Sequence, residues 1–211
     1  MHGKYRAAFL FSETNDWLIR YIRDVNFSVV WSGSIDFFYD KALITGYDIV
    51  FILGYTKILS SSFLKANQLN LVVHESAVPF GKGFSPLQWQ ILNGADNVLV
   101  TLLEASDEVD SGDIILQEEL VFNGSELYEE IRQKQAACTI SLIKKFFSQY
   151  PDIDRQKQVG DESSFRRRRP DDNKLRVDKS IKEQFDLLRI GNNEEWPSYF
   201  NYNGHKYILK I

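Results

Sequence analysis

His74 and Asp110 are the two side chains of this sequence best placed to exchange a proton. His74 ends an apolar run, LNLVVH (69–74), and opens a loop holding Pro79, Gly81, Gly83 and Pro86. Asp110 comes 36 residues later in EASDEVDSGDIIL, two positions before Gly112. An imidazole at a strand end and a loop carboxylate can form an acid–base pair, in which the carboxylate fixes the tautomer and favours the protonated ring. The glycines would let a flat ligand approach the backbone. On composition alone, the same residues also fit a packed core histidine and a turn aspartate.

Other chemistries lack their residues. No Gly-x-Gly-x-x-Gly comes after the first apolar run, where SETND (12–16) stands instead, and there is no Walker loop. The three histidines, His2, His74 and His205, are scattered, so no metal-ligand spacing exists. The single cysteine, Cys138, excludes an internal disulfide and a thiolate-rich zinc site. Cys138 falls in an apolar stretch of helical period and reads as a packed thiol. A net charge of −4 argues against a general nucleic-acid binder, because neutralising phosphates needs a basic face.

A scaffold must deliver His74 and Asp110 to one place. Strand-length apolar runs at 6–11, 27–32, 48–55, 69–74, 97–105 and 113–120 alternate with segments of helical period. Trp17, Leu18, Tyr21, Ile22 and Val25 mark one helix face, with Asn15 or Thr14 as its cap. SPLQWQILNG is helical and stops at Gly94, and a long helix from Ser125 ends before Pro151. Such alternation predicts an α/β, Rossmann-like core with a mainly parallel sheet covered on both faces. Ligands of open α/β sheets bind at the carboxyl ends of the strands, which is where His74 lies. Residues 1–150 are expected to be the catalytic domain. Residues 151–211 form a small C-terminal appendage: a charged stretch with FRRRRP, a short helix, and a β-hairpin turning at Asn203–Gly204. With no secretory leader and no run of about 20 apolar residues, a cytoplasmic protein without membrane contact is expected.

HESAVPFGKGFSPLQWQILNG resembles the signature loop of the folate-dependent formyltransferases, at His74, Ser76, Pro79, Gly83, Pro86 and Trp89. EVDSGDIILQ resembles that family's second signature and puts its aspartate at Asp110. The resemblance covers roughly the first 150 residues. It implies that His74 and Asp110 are catalytic, that folate loops run through Ser76, Pro79, Gly83, Glu104 and Gly112, and that 10-formyltetrahydrofolate is the formyl donor. No metal is implied. One residue departs from the pattern: the family has Asn two positions before the His, and this chain has Val72. Asn70 is the nearest asparagine and would sit about 6–7 Å deeper along a strand. A bulge could bring it forward; otherwise a backbone amide, Ser76 or Lys82 must supply the missing donor.

The acceptor amine is read from the residues beyond the core. The family's transfer-RNA enzymes carry a large basic domain after the core; about 60 residues after 150 and a net charge of −4 argue against a tRNA acceptor. The tail resembles that of nucleotide-sugar N-formyltransferases, which act on 4-amino-4,6-dideoxy hexoses of surface glycans. VVHES and HKYILKI resemble the branch acting on UDP-4-amino-4,6-dideoxy-N-acetyl-altrosamine in pseudaminic-acid pathways; a dTDP-4-amino-4,6-dideoxyglucose acceptor or another small amine is the alternative. Arg166, Arg167, Arg168 and Arg169 offer planar donors to a diphosphate. Phe165, Trp196 and Tyr202 offer faces to a base, and Tyr55, Lys57 and Lys82 are the core-loop candidates. The arginine run also fits a solvated face, and the aromatics also fit hairpin packing. A folate- or nucleotide-binding relative without turnover is the reading from another class. The oligomeric state stays open, with a homodimer among the options.

Overall fold

The computed structural model describes residues 5–211; His2 lies outside them. The chain folds as β1 (Arg6–Phe11), α1 (Ile19–Ile22), β2 (Ser34–Phe38), β3 (Ile49–Leu53), α2 (Ser61–Lys65), β4 (Leu69–His74), β5 (Lys82–Gly83), α3 (Pro86–Leu92), β6 (Asn97–Glu104), β7 (Ile114–Val121), α4 (Tyr128–Gln149), β8 (Ser164–Phe165), α5 (Phe185–Arg189), β9 (Ser198–Tyr202) and β10 (His205–Leu209). Six strands form one sheet in the order β2-β1-β3-β4-β6-β7. The first four are parallel, while β6 runs antiparallel to both its neighbours, β4 and β7. The sheet is therefore mainly parallel, as the alternating pattern predicts.

The central strands are apolar throughout because both faces are covered. β3 is buried at every position, and β1 at all but its first. α4 explains one cover. Ile131, Gln135, Cys138, Leu142, Ile143 and Phe146 recur at three- and four-residue spacing and are buried. Its first turn is closed by Glu130, whose carboxylate accepts from Leu127 N at 2.9 Å. Cys138 is a free, buried thiol in this face.

Two local expectations fail for physical reasons. Residues 27–32 are turns, and the edge strand is the next segment, SIDFF. Phe27 and Trp31 are apolar because they fill an aromatic cluster under α4: Trp31 stacks on Phe147 at 4.4 Å and Phe27 meets it edge-on at 5.7 Å. The first helix is a single turn without a side-chain cap. Asn15 instead donates to the Gly54 carbonyl at 2.8 Å, tying the loop after β1 to the loop after β3.

After α4 the chain turns back across the sheet end. Gln156 bridges Ile114, and β8 pairs in parallel with β5. The hairpin β9–β10 closes at Asn203 and Gly204, with φ of 46° and 79°. Both are left-handed, which is what an Asn-Gly turn of this type requires. Among the described residues, no helix is long and apolar enough to cross a membrane.

Candidate active site

β4 carries His74 to the carboxyl end of the parallel strands, and the loop between β6 and β7 brings Asp110 to meet it. His74 Nδ1 lies 3.5 Å from Asp110 Oδ2, with both side chains more than nine-tenths buried. His74 Nε2 contacts the Gly81 carbonyl at 2.8 Å. A carbonyl can only accept, so Nε2 carries a hydrogen there. Nδ1 is then the ring nitrogen not committed to the backbone, and it is the one facing the carboxylate.

The geometry depends on the glycine loop. Gly83 N donates to Asp110 Oδ2 at 2.9 Å. Gly83 has φ of 93°, and a Cβ there would lie 2.5 Å from the Phe165 carbonyl oxygen. Only glycine reconciles that backbone with β8 lying so close. Gly112 is equally constrained, because its Cβ would meet the Glu104 carbonyl oxygen at 1.7 Å. Asp110 itself is left-handed, with φ of 54°. Two side chains brace its turn: Gln158 Nε2 donates to the carbonyls of Asp110 and Gly112 at 2.8 Å each, and Lys82 Nζ donates to Ser111 Oγ at 2.8 Å.

The remaining loop residues have other positions. Ser76 is fully buried, its Oγ has no partner, and its carbonyl accepts from Thr101 Oγ1 at 2.7 Å. Pro79 lies in the loop between His74 and β5, and its carbonyl accepts from Ser163 N at 3.2 Å. Glu104 turns its carboxylate to Arg155 Nε at 2.9 Å, so it meets the Asp110 turn through its backbone. Asn70 is not brought forward. β4 keeps regular register with β3 and β6, and Asn70 Nδ2 donates to the Leu64 carbonyl at 2.9 Å. It anchors α2. Val72 is half-buried on the same strand face, packed into the cluster of Val50, Ile52 and Phe63.

The arginine run is not a uniform face. Arg166 lies over Trp89 at 4.7 Å and pairs with Asp172. Arg167 lies over Phe84 at 4.3 Å and points to the Thr56 carbonyl, at 3.4 Å, in the loop after β3. Arg168 is buried and donates to Asn173, which in turn donates to the Trp196 carbonyl at 2.6 Å. Arg169 is exposed. Phe165 packs edge-on against Phe80 and stacks on Trp89, so its ring supports the glycine loop. Tyr55 is half-buried near Val50 and Ile52, Lys57 is exposed, and Tyr202 is exposed at the hairpin tip. Lys82 is buried, with Glu162 at 3.2 Å as its ion-pair partner.

Sequence reasoning missed Gln158 and Ser163. Ser163 Oγ accepts from Gly81 N at 2.9 Å. Residues 156–165 have no periodicity to announce a strap across the loops that hold His74 and Asp110.

The profile described as formyl transferase matches residues 38–143, a span holding both His74 and Asp110. The bifunctional polymyxin resistance protein ArnA of Wigglesworthia glossinidia brevipalpis is 28% identical over 168 residues, covering 77% of this chain and 25% of that protein. Methionyl-tRNA formyltransferase of Thermodesulfovibrio yellowstonii is 25% identical over 74% of this chain and 51% of its own length. This chain thus spans about half or less of these two relatives. Among solved structures, methionyl-tRNA formyltransferase from Clostridium thermocellum superposes with a TM-score of 0.81 at 19% identity, covering 97% of this chain and 90% of that one. A 4-N formyltransferase from Francisella tularensis gives 0.74 at 18% identity, covering 98% and 97%. HypX from Aquifex aeolicus, solved with tetrahydrofolic acid, gives 0.72 at 16% identity, covering 98% and 37%. At such identities the superpositions speak for the fold alone. The profile match over half of the sequence, centred on the loops that join His74 to Asp110, makes this chain a member of the formyl transferase family.

Proposed function

We propose that this chain is an N-formyltransferase that uses 10-formyltetrahydrofolate to formylate the 4-amino group of a nucleotide-linked 4-amino-4,6-dideoxy sugar. The observation that carries the reading is the buried His74–Asp110 pair at the strand end, 3.5 Å apart. UDP-4-amino-4,6-dideoxy-N-acetyl-altrosamine, for surface glycan synthesis in the cytoplasm, is our specific acceptor; the dTDP-linked glucose isomer is the other. Residues 151–211 serve as the nucleotide-sugar side of the site.

The folate side fits the loops that hold the pair. Phe80 and Val109, in those two loops, are 46% and 48% exposed, leaving apolar surface for a flat ring. When bound, the folate supplies a formyl carbon attached to a nitrogen that can leave. Asp110 would take a proton from the attacking amine; as the new C–N bond forms, the bond from the formyl carbon to the folate nitrogen would break, and that proton would end on the departing nitrogen. His74, carrying a proton at Nδ1, would donate to the formyl oxygen as negative charge gathers there, while Nε2–H on the Gly81 carbonyl fixes the ring. Burial of both groups excludes water that would compete for the formyl group.

A binding-only relative is the second reading, favoured by Val72 where the family has Asn. Thermal shift with UDP, dTDP and a folate analogue tests the assignment of ligands. A ligand at 100 times its dissociation constant should add roughly 2.7 kcal/mol. We expect stabilisation by the folate analogue and by one nucleotide. No response to either nucleotide would remove the sugar-nucleotide assignment.

A further inference from the structure

Two arginines from distant parts of the chain hold buried donors to spare. Arg132, on α4, lies over the rings of Trp17 at 4.5 Å and Tyr128 at 5.0 Å, and donates to Gln135 Oε1 at 2.8 Å. Its Nε is buried without a hydrogen-bond partner. Arg168 is 9% exposed, and its Nε is likewise buried and unpartnered. Neither has a carboxylate at ion-pairing distance among the described residues; Asp172, the acid nearby, is held by Arg166. Burial lowers the Arg168 guanidinium from its usual range; Asp172 opposes this, and the charges of Arg132 and Arg166 add to the lowering. Leaving the buried Nε donors of two neighbouring cations without partners is costly, and an anion bound between them would relieve it.

The location fits the reaction. Gln135 also donates to Glu75, the residue after His74. Two hydrogen bonds thus lead from Arg132 to the catalytic strand end. The stacking on Trp17 and Tyr128 holds the Arg132 plane in place, and a planar guanidinium is suited to bidentate contact with phosphoryl oxygens.

We propose that Arg132 and Arg168 form one anion site that takes the phosphoryl groups of the acceptor, an assignment that rests on the nucleotide-sugar reading above. Arg132 comes from the core and Arg168 from the tail, so a bound diphosphate would join the two parts of the chain.

The test is isothermal titration of inorganic pyrophosphate, and then UDP, into the full chain. Arg132→Gln and Arg168→Gln should each lose affinity about tenfold or more for both ligands, since one charge-assisted fork is removed. Arg176→Gln, at an exposed pair with Asp178, should bind like wild type. Wild-type affinity in Arg132→Gln would overturn the site. Should the variants fold poorly, the wild type decides: pyrophosphate must raise its melting temperature where chloride of equal ionic strength does not, and equal effects would overturn it. Pyrophosphate binding without UDP binding would overturn the UDP-linked acceptor and leave the dTDP-linked one. Formyl transfer is read separately. Lost pyrophosphate affinity in both variants, with no amino sugar formylated by the wild type, would keep the anion site and sink the acceptor reading. Transfer with an unchanged KM in Arg132→Gln would do the reverse.

Discussion

Asp110 and Gly83 meet through a single hydrogen bond, from the Gly83 N–H to Asp110 Oδ2 at 2.9 Å, and that same oxygen faces His74 Nδ1. The glycine loop thus aims the carboxylate at the imidazole.

Asp110→Asn should lower kcat and leave KM for the amino sugar nearly unchanged. Asparagine tolerates the left-handed backbone at this position and can still accept from Gly83, so the turn survives while the proton acceptor is lost. Steady-state kinetics check this. A raised KM with unchanged kcat would make Asp110 a substrate-positioning group.

Gly112→Ala should damage the Asp110 turn. The new Cβ would lie 1.7 Å from the Glu104 carbonyl oxygen, and backbone cannot rotate away as a side chain can. Overpacking of this kind costs about 1–3 kcal/mol or more, and kcat should fall with it. Gly94→Ala is the comparison. There φ is 82° with nothing within 4 Å, so the expected cost is about 1–2 kcal/mol of conformational strain, with kcat intact. Melting curves and rates of both variants make the check.

Val72→Asn restores the family residue and should not speed transfer. Position 72 packs against an apolar cluster, and an amide left unpaired there costs about 1–3 kcal/mol. Denaturant melts and rates measured together decide. Faster transfer without lost stability would show that position 72 faces the reacting carbon.

Glu126 ties the tail to the core, through Arg189 Nη2 at 3.2 Å and through Lys134. Burial works to raise its carboxyl, but the bonds from Lys134 and from the Asn123 backbone outweigh it and hold the pKa at about 2. A depressed folded-state pKa gives stability that is present above the unfolded value, 4.5, and is lost as pH falls toward about 2. Glu126→Gln should be less stable at neutral pH, because Lys134 loses its carboxylate and Arg189 keeps only Asp186, and its stability should fall less steeply across that window. Urea melts between pH 5 and 2 read both effects, with pH 7 as reference.

The meeting of His74 and Asp110 was legible because both sit in short motifs whose spacing survives in one dimension. The hairpin was legible because Asn203–Gly204 has few alternative uses. Residues 27–32 were misleading because an aromatic filler such as Trp31 and a strand residue have the same apolar character. Gln158 could not be found from sequence: its role is two hydrogen bonds to backbone carbonyls, and any polar side chain in an irregular segment looks the same. Arg132 and Arg168 lie 36 positions apart, and their shared lack of partners exists only in three dimensions.

The decisive assay is formyl transfer itself, from 10-formyltetrahydrofolate to a UDP- or dTDP-linked 4-amino-4,6-dideoxy sugar, by wild type and by His74→Asn. The wild type should yield a formylated amino sugar. His74→Asn should lose about 10²–10³-fold or more in rate, with folate-analogue affinity and melting temperature near wild type. A His74→Asn variant active within a few-fold of wild type, or a wild type that binds both ligands and makes no product, would contradict the roles given to His74 and Asp110.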